Sequence, residues 1–86
     1  MTTDMILAIM YYGKTTHTNF KDPLEVEDVL EIGYQLYPNY DFKLKDLQEA
    51  LECNFDINVT TQHIFASSDE PANYQDVIDM VSDITF

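Results

Sequence analysis

The chain has 86 residues, 45% of them hydrophobic, with six Tyr and five Phe. This composition predicts a single folded domain over residues 1–86 with a small apolar core. Sixteen Asp and Glu against four Lys give a formal net charge of −12, which repels nucleic acid and anionic lipid and excludes both as direct partners. The lone cysteine, Cys53, excludes an internal disulfide and a cysteine metal cluster.

The charge is unevenly distributed along the chain. Residues 1–21 carry a net charge of about +1, whereas residues 22–86 carry about −13, because fifteen acids there are opposed only by Lys43 and Lys45. A field of this sign attracts basic protein surfaces. The longest apolar run, from Met5 to Tyr12, is too short for a membrane span and lacks the basic flank of a signal peptide. We therefore expect a cytoplasmic protein with no membrane partner.

The first element, from Met5 to Tyr12, is apolar on every side, so its periodicity does not separate a buried helix from a buried strand. Asp4 as an N-cap and Gly13 as a stop favour a helix. The Ile and Tyr content suits a strand equally well. A polar loop is expected over residues 14–21.

The second element has a clearer start. Asp22 at the N-cap, Pro23 at the first helical position and Glu25 three residues after the cap predict a helix with a capping box, which ends at Pro38. One side of this helix is apolar, with Val26, Val29, Leu30, Gly33, Leu36 and Tyr37. The other side is acidic and is expected to face water or a partner, with Glu25, Glu27, Asp28 and Glu31.

The most regular pattern lies in residues 41–59. Leu44, Leu47, Ala50 and Leu51 recur at helical spacing, and Phe42 and Phe55 extend the same apolar side at its two ends. The pattern therefore predicts an acidic amphipathic helix. Its opposite face carries Lys45, Asp46, Glu49 and Glu52.

Two further segments complete the chain. Residues 56–65 alternate as a strand would, with Ile57, Val59, Thr61, His63 and Phe65 on one side, but a turn plus a short helix also fits. After a loop over residues 66–72, Asn73 or Asp69 is expected to cap a last helix. Its inward positions are Tyr74, Val77, Ile78 and Val81, and its outward acids are Asp76, Asp79 and Asp83.

The sequence predicts no catalytic centre. Carboxylate pairs such as Glu49 and Glu52 lie on a predicted solvated face, where nothing separates their pKa values for acid and base roles. Cys53 follows Glu52, and neighbouring acids raise the pKa of a thiol and blunt its reactivity. No calcium-binding loop, His-Glu-x-x-His motif or phosphate-binding glycine loop occurs. We therefore expect no enzyme, no cofactor and no metal. Of the six tyrosines, Tyr37 and Tyr40, on either side of Pro38, are predicted to be exposed.

The segment Ala-Leu-Glu-Cys-Asn-Phe-Asp-Ile-Asn-Val, residues 50–59, resembles the end of helix II and the following loop of acyl carrier proteins, in particular D-alanyl carrier proteins. Residues 73–84 are similar to their closing helix. The resemblance implies a four-helix bundle that presents an acidic helix II to basic patches on enzymes. Asp41 stands where that family has the serine that carries phosphopantetheine. Since Asp41 has no hydroxyl nucleophile, the resemblance implies a carrier-like domain without the prosthetic arm.

These observations predict an all-α fold, a small carrier-protein-like helical bundle. The alternative is an α+β fold in which the segments from Met5 to Tyr12 and from Ile57 to Phe65 are paired strands packed on three helices. The expected function is non-enzymatic docking on a basic protein surface, such as an acyl-chain enzyme, through an acidic helix. The alternative function is an acidic inhibitor that mimics DNA and occupies a nucleic-acid-binding protein, of the phage anti-defence type. The predicted partner-binding residues are Asp41, Asp46, Glu49, Glu52, Glu27, Asp28 and Glu31.

Overall fold

The computed structural model describes residues 2–16, 20–66 and 69–85, with side chains up to residue 83. In these residues four helices and one two-stranded antiparallel sheet follow one another, and one apolar core lies among them. The elements are α1 (Thr3–Thr15), α2 (Val26–Leu36), α3 (Leu44–Glu52), β1 (Ile57–Val59), β2 (Ile64–Ala66) and α4 (Tyr74–Thr85).

The first apolar segment is a helix. The side chain of Thr2 caps it by accepting a hydrogen bond from the Met5 amide at 3.2 Å, so α1 begins before Asp4, which lies in its first turn. Gly13 does not end the helix, because it lies within it, at a point where a Cβ would overlap the Phe20 ring. The missing side chain at position 13 lets that ring pack directly against the backbone of α1.

The predicted start of α2 is wrong. Asp22 and Pro23 precede the helix and are joined by a cis peptide bond, and the N-cap is Glu25. The reason is tertiary: the Leu24 amide donates to the Ala72 carbonyl at 2.9 Å, and the Val26 amide donates to the Gln62 carbonyl at 2.9 Å. These bonds keep the chain extended until Val26. The predicted end is confirmed, since α2 stops at Leu36, before Pro38.

The buried side of α2 is rotated from the predicted apolar side. Val26, Val29 and Gly33 are buried, but Ile32 is also fully buried and Leu30 is only partly covered. Helix α1 packs against both α2 and α4, so α2 turns the side that carries Ile32 into the core. Leu30 is thereby moved to the edge of the buried surface.

The segment from Ile57 to Phe65 forms a hairpin with the start of the loop that follows it. Strands β1 and β2 pair antiparallel in the register Ile57 with Ala66, Asn58 with Phe65 and Val59 with Ile64. The alternative pairing of this segment with residues 5–12 is wrong, since those residues are in α1. The all-α prediction is wrong at this hairpin. The three predicted helices are present, and the first segment, which the sequence left open between helix and strand, is a fourth. The fold is α+β with helix predominating.

Helix α3 has the predicted apolar side, with Leu47, Ala50 and Leu51 buried. Of the two predicted caps of α4, Asn73 is the one observed: the Asp76 amide donates to Asn73 Oδ1 at 3.0 Å and the Asn73 amide donates to Asp76 Oδ2 at 3.1 Å. Helix α3 packs on β1, and α4 packs on β2. The largest fully buried side chains in the core are Ile6, Ile9, Met10, Leu24, Val29, Ile32, Phe42, Leu47, Leu51, Ile57, Ile64 and Val77. Among the helices of the described residues, none has the length and apolar character needed to cross a membrane.

Candidate protein-binding groove

One side of α2 carries acids and apolar groups in turn. Glu27, Leu30, Glu31 and Tyr34 follow the spacing i, i+3, i+4 and i+7, which places them along one stripe of a helix. They border a groove of about 580 Å³, which we call the α2 groove. Leu44 at the start of α3 and Thr61 in the hairpin turn complete it. The full lining is Val26, Glu27, Leu30, Glu31, Tyr34, Leu44 and Thr61.

Tyr34 is the ordered aromatic group of this groove. Its side chain is 45% exposed, yet its hydroxyl donates to the Phe42 carbonyl oxygen at 2.6 Å. The ring also meets the buried Phe42 ring edge to face, with centroids 6.0 Å apart. An exposed aromatic side chain that is already held in one position loses little conformational entropy when a partner covers it. Tyr34 therefore has the properties of a binding anchor.

Phe42 positions both sides of the groove. Its ring packs on Gly33 of α2, where a Cβ would come within 3.2 Å of it, and it contacts the rings of Tyr37 and Tyr40. This packing fixes residues 41–43 across the end of α2 and places Leu44 in the groove. The prediction that Tyr37 and Tyr40 are exposed is wrong, because both cover Phe42 and are only partly accessible. Tyr11 and Tyr34 are the exposed large hydrophobic residues of the described chain.

The two acids of the groove, Glu27 and Glu31, are open to a partner. Among the described residues, neither Glu27 nor Glu31 forms an ion pair, and both are exposed. Lys21 lies near the start of α2 and bonds Glu25 at 3.4 Å. That hydrogen bond, followed by the charges of Glu25, Asp28 and Glu27, raises the pKa of Lys21. Lys21 therefore pairs with Glu25 at the start of α2. Glu31 lies more than one turn further along the helix and is not the partner of this lysine.

The structure assigns structural roles to two of the predicted docking acids on α3. Glu52 accepts a hydrogen bond from the Val59 amide at 2.8 Å, and Gln48 donates to the Val59 carbonyl at 2.9 Å. The two side chains thereby bond both outward backbone groups of Val59, as a third strand would. Asp46 caps its own helix by accepting from the Lys43 amide at 3.3 Å.

The remaining predicted acids are dispersed. Asp46 and Glu49 border a separate depression of about 370 Å³ beside Cys53, and Glu49 lies 4.0 Å from the Lys45 ammonium. Asp41 is exposed in the segment before α3, with its carboxylate 3.3 Å from the Lys43 ammonium. Asp28 is half-buried, and its Oδ2 has no hydrogen-bond partner among the described residues.

Of the seven predicted binding residues, the structure therefore brings only Glu27 and Glu31 into the α2 groove. Sequence reasoning missed its apolar members, because it placed Leu30 on the side of α2 opposite the acids and did not connect Tyr34 or Leu44 with the acids of α2. A signal was present in the sequence: Glu-x-x-Leu-Glu-x-x-Tyr, residues 27–34, is a stripe that mixes charge with apolar groups.

In the part of the chain that the structure describes, no three His, Cys, Asp or Glu side chains are grouped as metal ligands would be. The chain matches no protein-family model, no curated protein and no solved structure. The resemblance to carrier proteins therefore depends on the sequence of residues 50–59 and 73–84 alone and stays a prediction.

Proposed function

We propose that this chain is a non-enzymatic binding domain that docks on a basic surface of another protein through the α2 groove. The observation that supports this function best is the combination of an apolar floor, formed by Leu30, Tyr34 and Leu44, with exposed carboxylates at Glu27 and Glu31. The apolar floor supplies affinity when it is covered, and the carboxylates select a cationic partner.

The charge of the whole chain supports the same function. At −12, the molecule attracts cationic surfaces over roughly a Debye length, about 8 Å at physiological salt, and so raises the rate of encounter. Three of the four lysines are engaged by neighbouring acids, at Lys21, Lys43 and Lys45. The remaining acidic surface therefore repels most acidic proteins and narrows the range of partners.

The breadth of the acidic surface supports a second candidate, an inhibitor that occupies a nucleic-acid-binding protein in place of DNA. Among the described residues, exposed acids are found on all four helices and in the loops between elements. They are Asp4, Asp22, Glu27, Glu31, Asp41, Glu49, Glu52, Asp56, Asp69, Glu70, Asp76, Asp79 and Asp83. An inhibitor of this kind would use acids from several elements at once, whereas groove docking depends on Glu27 and Glu31.

The test compares three forms of the intact chain as bait in the same cell lysate. The first is wild type, the second is Glu27→Lys with Glu31→Lys, and the third is Asp79→Lys with Asp83→Lys. Each of the last two variants replaces two exposed acids by lysine at i, i+4 spacing, so both alter the net charge equally, one on α2 and the other on α4. Groove docking predicts salt-eluted partners that the α2 variant loses and the α4 variant keeps.

A DNA mimic predicts captured nucleic-acid-binding proteins and partial losses in both variants, because each removes part of a distributed surface. Acyl-chain enzymes that the α2 and α4 variants both retain would instead support carrier-like docking through α3, which corresponds to helix II in the carrier resemblance. If all three baits retain the same proteins, the groove proposal is refuted.

A further inference from the structure

We infer that the occupant of the α2 groove is a short basic amphipathic helix of the partner protein. The inference rests on the proposed function, since it names the chemistry of the surface that the groove takes. The occupant would present Lys or Arg four residues apart, with apolar side chains on the same face. In sequence it would read Lys/Arg-x-x-apolar-Lys/Arg-x-x-apolar.

The pattern of the α2 stripe leads to this motif. Glu27 and Glu31 lie four residues apart, so they are separated by about 6 Å along the helix axis. Leu30 and Tyr34 repeat at the same interval between and after them. A second helix laid along α2 repeats its own side chains with the same rise, so basic residues at i and i+4 match the two glutamates together. Its apolar residues then come to lie over Leu30 and Tyr34.

The size of the groove agrees with a helical occupant. A helix about 11 Å across with its side chains occupies about 500 Å³ for each turn of about 5.4 Å. The α2 groove has about 580 Å³ and is open to solvent, so it takes the side chains on one face of a helix and not its whole cross-section. The contact is therefore centred on one or two turns of the partner, with Leu44 and Thr61 limiting the groove on the side away from α2.

The sheet does not offer an equivalent site to an extended peptide. At Val59 both outward backbone groups of β1 are bonded to Gln48 and Glu52. On the other edge, the Ile64 carbonyl of β2 accepts from the Ala72 amide at 2.7 Å. A peptide that added itself as a strand would have to displace these bonds, whereas a helix satisfies its own backbone and needs only side-chain contacts. The geometry therefore favours a helix over a strand.

The test uses a fluorescein-labelled peptide of about 16 residues, long enough for measurable helix formation, with Lys-x-x-Leu-Lys-x-x-Leu at its centre and Ala or Gln elsewhere. Two comparison peptides carry the same net charge. One has the same composition in an order that separates Lys and Leu onto different faces, and the other alternates Lys with Val as a strand would. Fluorescence anisotropy against the intact chain measures affinity, and amide chemical shifts locate the contact.

The striped peptide is expected to bind at least about tenfold more tightly than either comparison peptide, with shifts at Leu30, Tyr34 and Leu44. In Glu27→Lys with Glu31→Lys, its affinity should fall at least about tenfold, while in Asp79→Lys with Asp83→Lys it should change less than about twofold. Raising NaCl from about 50 mM to about 300 mM should weaken the complex.

The outcomes separate this inference from the function on which it rests. If all three peptides bind equally and all are lost in the α2 variant, the groove binds basic chains without helical order. The proposed function then stands, and the helical occupant is refuted. If the α2 and α4 variants lose the peptides equally, the attraction is general and both are refuted. If none of the peptides binds although the bait experiment gives groove-dependent partners, only the helical occupant is refuted.

Discussion

Replacing Glu52 tests whether this acid supports the fold or serves a partner. Its carboxylate accepts the Val59 amide at 2.8 Å, at the outer edge of β1. Glu52→Ala removes the acceptor, while Glu52→Gln removes the same charge but keeps an oxygen that can accept. A neutral hydrogen bond of this kind contributes about 1 kcal/mol, and an amide left without a partner adds to the loss. Against this, Ala is a better helix former than Gln by about 0.4 kcal/mol.

We therefore expect Glu52→Ala to be less stable than Glu52→Gln by about 1 kcal/mol. Urea unfolding followed by circular dichroism measures the difference. With a slope of about 1 kcal/mol per molar for a domain of this size, the two midpoints should differ by about 1 M.

Glu49 provides the matched control, because it lies on the same helix and is exposed, with only a 4.0 Å ion pair to Lys45. Both Glu49→Ala and Glu49→Gln remove that pair equally. The order of stability should then follow helix propensity alone, with Ala the more stable by about 0.4 kcal/mol. The order is thus expected to reverse between positions 49 and 52. If Ala is the more stable replacement at both, the hydrogen bond to β1 contributes nothing and our account of Glu52 is refuted.

Four further predictions concern stability and are checked by thermal or urea unfolding. Leu47→Ala, at a fully buried position of α3, should lower the free energy of unfolding by about 3 kcal/mol. Unchanged stability would show that α3 does not bury the side that carries Leu47. Gly13→Ala should destabilise by about 1–3 kcal/mol because its Cβ would overlap the Phe20 ring. Gly33→Ala should cost much less, because its Cβ would lie 3.2 Å from the Phe42 ring. Equal losses at the two positions would contradict the tighter packing at Gly13. Tyr34→Phe should lower the free energy of unfolding by about 1 kcal/mol, because it removes the hydrogen bond to the Phe42 carbonyl. Unchanged stability would show that this bond contributes nothing. Raising NaCl from low ionic strength to about 0.2 M should raise Tm, since salt screens the repulsion within a chain of charge −12; a fall in Tm would show that favourable ion pairs predominate.

Local features of the sequence were sufficient for α3 and α4. The spacing of Leu47, Ala50 and Leu51 and the Asn73 cap depend on contacts within a few residues, and the structure has them as predicted. The acidic surface was also determined by the sequence, because carboxylates are too costly to bury without partners and must lie outside the core wherever the chain folds.

Tertiary structure decided the rest. Segment 5–12, apolar on every side, carries no period that distinguishes helix from strand, so only its packing between α2 and α4 settles it as α1. The start of α2 was moved by hydrogen bonds from Val26 to Gln62 and from Leu24 to Ala72, which are distant in the sequence. Likewise Glu52 and Glu31 are both exposed acids on helices, yet one holds a strand edge and the other borders a groove. That difference depends on which neighbours the fold brings to each carboxylate, and spacing along the chain does not contain it.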